Sequence, residues 1–119
     1  MMRPREDLAQ VFLARDPVDM RKSINGLAVE VEAVMALNPF EPHLFAFCNR
    51  RRDKIKILYF EGNGFVLWYK RLERQRFHWP EAEAGEVVTI SGRELNWLLD
   101  GYDLSQLRPH RKLTFSTVL

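Results

Sequence analysis

The chain has 119 residues, 46% of them apolar, and a formal net charge of +2, a composition that suits one compact domain with one core and argues against disorder. Its single cysteine, Cys48, excludes an intrachain disulfide. The charged start, Met1-Met2-Arg3-Pro4-Arg5-Glu6-Asp7, leads into no uninterrupted apolar region, so neither a signal peptide nor a membrane span is expected and a cytoplasmic location is.

Taken in chain order, Gln10-Val11-Phe12-Leu13-Ala14 is a short apolar run fit for a strand and is bounded by Asp16-Pro17. Asp19 is placed to cap a helix whose apolar residues Ile24, Leu27, Val31, Val34 and Met35 keep helical spacing. Gly26 weakens that helix by about 1 kcal/mol relative to alanine, and Asn38-Pro39 stops it. Leu44-Phe45-Ala46-Phe47-Cys48 is continuously apolar, as expected of a central strand covered on both faces. Within it, Cys48 reads as a small buried apolar residue rather than a nucleophile.

The positive charge is local. From Arg50 to Arg76 nine basic side chains face three acidic ones, whereas residues 1–49 carry five against seven and residues 77–107 one against six. This stretch reads as a hairpin whose arms flank Gly62-Asn63-Gly64. Period-two alternation puts Ile55, Ile57 and Tyr59 on one face of the first arm and Lys54, Lys56, Leu58 and Phe60 on the other. On the second arm, Phe65, Leu67, Tyr69 and Arg71 oppose Val66, Trp68, Lys70 and Leu72. One face is expected to meet the helices, leaving lysines and some aromatics of the other in or near solvent, the texture of a nucleic-acid or protein contact. The alternative is that the aromatics are sheet core and the lysines only keep the second face soluble.

Beyond Trp79-Pro80 an acidic loop leads to a short strand, Glu86-Val87-Val88-Thr89-Ile90. Ser91 and Glu94 make a capping box, Ile90 and Leu95 a hydrophobic staple, Leu98 and Leu99 extend the buried side of the helix, and Gly101 is placed to end it. The expected fold class is α+β: a mainly antiparallel β-sheet, a meander with a central basic hairpin, packed against two helices. It forms one domain over residues 1–119, with a core over about 10–101 and charged terminal extensions at 1–9 and 102–119.

No catalytic motif, cofactor site or small-molecule substrate is indicated. His43, His78 and His110 lie far apart and lack metal-ligand spacing with Cys48, so no metal site is expected. Asp16, Asp19, Asp53 and Glu61 form no carboxylate motif in sequence and converge only if folding brings them together.

Specific blocks carry a family resemblance. Val11-Phe12-Leu13-Ala14, Asp19-Met20-Arg21-Lys22 with Gly26-Leu27, Asn38-Pro39-Phe40, Leu44-Phe45 and Phe47 with Asn49-Arg50-Arg51 open the series. Lys56-Ile57-Leu58, Gly62, Gly64, Tyr69-Lys70-Arg71-Leu72-Glu73-Arg74, Arg76-Phe77 and Trp79-Pro80 complete it. In this order they resemble the small TnpB accessory protein of the IS-sixty-six family of bacterial insertion sequences, which is distinct from the RNA-guided nucleases of the same name. The resemblance covers roughly residues 10–101. Departures from the usual pattern fall at Arg15-Asp16, Ser23, Asn25, Cys48 and Gln75. None touches Asp19, Arg21, Lys22, Lys70, Arg71, Glu73 or Arg74.

The resemblance implies a role in transposition beside a separate, larger transposase, and it brings no established catalytic activity with it. Joined to the charge pattern, it points to an accessory factor that engages DNA phosphates through Arg50, Arg51, Arg52, Lys54, Lys56, Lys70, Arg71, Arg74 and Arg76. Arg21 and Lys22 join this set because cations in the first turn of a helix oppose its dipole unless an anion answers them, with Asp19 and Glu73 as orienting carboxylates. The alternative partner is the transposase itself, with the basic hairpin docked on an acidic patch. A metal-dependent nuclease is the third reading.

Overall fold

The computed structural model describes residues 10–81 and 84–107. The extension expected at 1–9 and residues 108–119 of the second lie outside the described residues. The elements are β1 (Val11–Ala14), α1 (Ile24–Ala33), β2 (Leu44–Cys48), β3 (Lys54–Glu61), β4 (Gly64–Arg71), β5 (Val87–Ile90), α2 (Gly92–Leu99) and α3 (Leu104–Leu107). Five strands form one sheet in the order β4-β3-β2-β1-β5. Every neighbouring pair is antiparallel except β1 and β2, so the α+β expectation holds. The parallel pair interrupts the meander, because a parallel neighbour needs a long crossover and α1 with its flanking loops supplies it.

β2 lies at the centre of the sheet, and all five of its residues are buried. Its alternation feeds two cores. Phe45 and Phe47 pack with Leu58 and with the α1 stripe Leu27, Val31 and Met35, while Leu44, Ala46 and Cys48 pack with Ile55, Ile57 and the α2 side chains Leu95, Leu98 and Leu99. Both faces are therefore covered at the centre of the sheet, and the exposure expected of one hairpin face is confined to the end that carries Lys54, Tyr69 and Arg71. α1 covers one side and α2 with α3 the other, since alternate positions on both faces are apolar and each set needs a partner. Leu104 of α3 is buried in the α2 core, so the segment after Gly101 begins as a docked extension.

Both ends of α2 are closed by the devices the sequence announces. Ser91 Oγ accepts from the Glu94 amide at 3.1 Å, and Glu94 Oε1 accepts from the Ser91 amide at 2.9 Å. At the other end the Gly101 amide donates to Leu98 O and the Tyr102 amide to Trp97 O, with Gly101 at φ 96°. This is a Schellman closure, and its left-handed residue is the one that lacks a Cβ. A third device was not legible in the sequence. Lys70 Nζ, from β4, donates to Leu99 O at 2.8 Å, satisfying a last-turn carbonyl with a cation at the negative end of the helix.

The start of α1 differs from expectation. Ser23, not Asp19, occupies the N-cap position, and its side chain makes no capping hydrogen bond. Arg21 and Lys22 thus precede the helix, and the dipole argument for an anionic partner does not apply to them. Among the described residues, no helix is long and apolar enough to cross a membrane.

Candidate nucleic-acid interface

Two short loops at the same end of the sheet carry exposed cations. In the first, Asp19 forms an Asx turn ahead of α1: its Oδ1 accepts from the Arg21 amide at 2.9 Å, and its backbone carbonyl accepts from the Lys22 amide at 3.1 Å. The Arg21 guanidinium closes on the same carboxylate, with Nη2 2.6 Å from Oδ2. These bonds hold the Asp19 carboxyl down at about 2. The Arg21 side chain is nevertheless 92% exposed, so the pair presents an oriented guanidinium to solvent. Lys22 turns the other way and pairs with Glu30 on α1. Its stem passes 3.3 Å from where a Cβ on Gly26 would sit, a close approach that accounts for a glycine inside this helix.

The second loop joins β2 to β3. Asn49 organises it, accepting at Oδ1 from the Asp53 and Lys54 amides at 3.1 and 3.0 Å and donating from Nδ2 to Asp53 Oδ1 at 2.7 Å. That donated bond is the main reason the Asp53 carboxyl lies below its usual range. The Arg52 amide donates to Asn49 O at 3.1 Å, so Arg50 and Arg51 occupy the two central turn positions and are exposed. Arg51 adds to the positive field that lowers the Asp53 carboxyl. Arg52 takes a left-handed backbone, φ 62°, and turns its half-buried side chain over Trp79, with Cζ 5.6 Å from the ring centre. It sits in a second depression with Arg15, Pro80 and Glu81.

Between the loops runs a groove of about 640 Å³ lined by Pro17, Val18, Asp19, Met20 and Arg21 on one side and by Asn49, Arg50, Arg51, Lys54 and Tyr69 on the other. Three bonds fix its wall: the Val18 amide donates to Cys48 O at 2.9 Å, and Lys56 Nζ donates to Met20 O and Lys22 O at 2.8 and 2.9 Å. Lys56 stands opposite Tyr69 in the β3–β4 register, with its ammonium 5.6 Å from the tyrosine ring centre. Lys54 and Arg71 are also directly opposed, an unfavourable like-charge pair. It is relieved in part by Asp53, 3.6 Å from Lys54 Nζ, and by Glu73, 3.0 Å from Arg71 Nε. Burial pushes the Cys48 thiol up to about 11, so it is protonated at neutral pH.

The model of the family described as IS66 Orf2 like protein matches residues 9–109. The chain belongs to this family. Two proteins of Sinorhizobium fredii (strain NBRC 101917 / NGR234) are similar to it along most of their length. Uncharacterized protein y4hO is 39% identical over 102 residues, 86% of this chain and 88% of the relative. Uncharacterized protein y4jC is 30% identical over 99 residues, 83% and 84% respectively. No solved structure matches the chain. An IS66 Orf2-like protein is an insertion-sequence-associated accessory protein, and this one brings two of its sequence blocks together in space. Arg21 of Asp19-Met20-Arg21-Lys22 and Tyr69 of Tyr69-Lys70-Arg71 line the same groove.

The cations singled out in the sequence divide by this geometry. Arg21, Arg50, Arg51 and Lys54 line the groove, and Arg71 shares the Lys54 and Tyr69 face at its edge. Arg74 and Arg76 are exposed on the segment after β4, outside the groove lining. Lys56 and Lys70 are engaged by backbone carbonyls, Lys22 by Glu30, and Arg52 lies against Trp79. Sequence reasoning missed the architects of the site. Asn49 four residues before Asp53 is an Asx-turn signal, and Tyr69 falls on the Lys56 face once the hairpin register is fixed.

Proposed function

We propose that this chain is a non-catalytic accessory factor in transposition of an insertion sequence, engaging DNA through the groove between the Asp19–Arg21 turn and the Asn49–Arg52 turn and assisting a separate transposase. The supporting observation is the convergence of Arg21, Arg50, Arg51 and Lys54 on one groove, with Arg50 and Arg51 exposed at the centre of their turn. Guanidinium groups suit phosphate oxygens, and that of Arg21 is oriented before contact by its bonds to Asp19.

A second reading, docking on the transposase without direct DNA contact, has one observation in its favour. Phe40, 58% exposed, meets Phe60 and Phe65 with ring centres 5.1–5.2 Å apart near the hairpin tip, an aromatic group of the kind enriched in protein interfaces. Fluorescence anisotropy across salt, with and without transposase, separates the two. The DNA reading predicts binding by the isolated protein to unrelated sequences that weakens steeply as salt rises. Binding to transposase alone, with no DNA contact at low salt, would replace it with the second reading.

A further inference from the structure

The groove's lining contains more than cations. Pro17, Val18, Met20 and Tyr69 contribute apolar surface between the arginines, and Tyr69 is 46% exposed although it belongs to a sheet strand. The groove is an open depression of about 640 Å³, a volume that falls within the range of about 300–1,000 Å³ found for small-ligand pockets. A duplex presents phosphates to such a site but keeps its base faces covered by neighbouring bases, so it leaves an aromatic ring in the groove with no flat partner. An unpaired base has a free face, and stacking on an aromatic beside a phosphate-binding cation is how single strands are held without sequence preference.

From this juxtaposition we infer that the groove takes an unpaired nucleotide of single-stranded DNA, its base against Tyr69 and its flanking phosphates on Arg50, Arg51 and Arg21. The inference rests on the DNA-binding reading and names the form of DNA. Lys56 positions the platform: bonded to Met20 O and Lys22 O, it fixes the opposite wall while its ammonium lies by the tyrosine ring. The Asp19 carboxylate holds the Arg21 guanidinium in place, and both residues line the groove.

The test uses the full chain and a labelled oligodeoxynucleotide of about 16 nucleotides, a length sufficient for a single-strand site, presented alone or annealed to its complement. Wild type is expected to prefer the single strand. Tyr69→Ala is expected to weaken single-strand binding roughly five- to hundredfold, the span that corresponds to one stacked base, with duplex affinity and the single-strand salt slope unchanged. Tyr69→Phe keeps the ring and the affinity, and Tyr69→Leu, which keeps apolar bulk without a ring face, reproduces the loss even if the alanine variant folds poorly. Equal losses on both forms, or none on either while the Arg50 dependence persists, would overturn the stacking inference and leave DNA binding intact. Absence of binding to both forms at low salt would remove the DNA-binding reading, and the inference with it.

Discussion

Replacing Arg50 and Arg51 together by alanine weakens DNA binding to the same degree on unrelated sequences and lowers the slope of log affinity against log salt by about 1.4–1.8. The slope follows from counterion release, about 0.7 per phosphate contact on single strands and 0.9 on duplex. The affinity loss is roughly tenfold per contact if each guanidinium–phosphate bond contributes about 1.4 kcal/mol. Folding is untouched, because both side chains are exposed and the turn is held by Asn49 and backbone bonds rather than by them. Arg74→Ala with Arg76→Ala, outside the groove lining, gives the smaller effect in the same titration. An unchanged salt slope in the folded Arg50/Arg51 variant would take this turn out of the interface.

The largest stability effects lie on the two faces of β3. Ile57, fully buried against the α2 side, loses roughly 2–5 kcal/mol on replacement by alanine, the range for large-to-small changes that leave a cavity. On the α1 face Lys56→Met keeps the stem but strands two carbonyls, Met20 O and Lys22 O, and costs about 1–3 kcal/mol. Arg71→Ala, breaking an exposed pair with Glu73, stays within about 1 kcal/mol. Denaturant melts rank the three. A Lys56→Met melt indistinguishable from wild type would mean that the ammonium does not fix the groove wall.

These contrasts mark what the sequence could and could not disclose. The capping box at Ser91 and Glu94 and the closure at Gly101 depend on neighbours within a few residues, so local spacing announces them. The central place of β2 follows from an apolar run with no polar alternation. The fate of a lysine is different, because its long stem carries the ammonium to whatever the tertiary fold offers. Lys56 finds carbonyls 34 and 36 residues away, and Lys70 finds one 29 residues away. Charge density in the hairpin thus overstated the free cations.

The Asp19 block was misplaced for a related reason. A carboxylate ahead of an apolar stripe fits a helix cap, but it fits an Asx turn equally well, and four residues separate the two solutions here. The convergence of Arg21 with Arg50 and Arg51 depends on the Val18–Cys48 bond and on Lys56, both contacts between segments distant in sequence. Alternation sorted the side chains of each arm separately, and it is the register of β3 against β4 that puts Lys56 and Tyr69 on one face. Alternation could not tell that α1 and the 17–21 loop would crowd that face while Tyr69 and Arg71 stay open to solvent.

The location of the interface is the centre of this account, and amide chemical-shift mapping by NMR measures it directly, titrating the isolated protein with a short single-stranded oligodeoxynucleotide at low salt. The largest changes are expected at Val18–Lys22, at Asn49–Lys54 and at Tyr69–Arg71, with Phe40, Phe60, Phe65 and the residues of α2 unmoved. Changes centred on the Phe40 group or on α2, with the two turns silent, would contradict it.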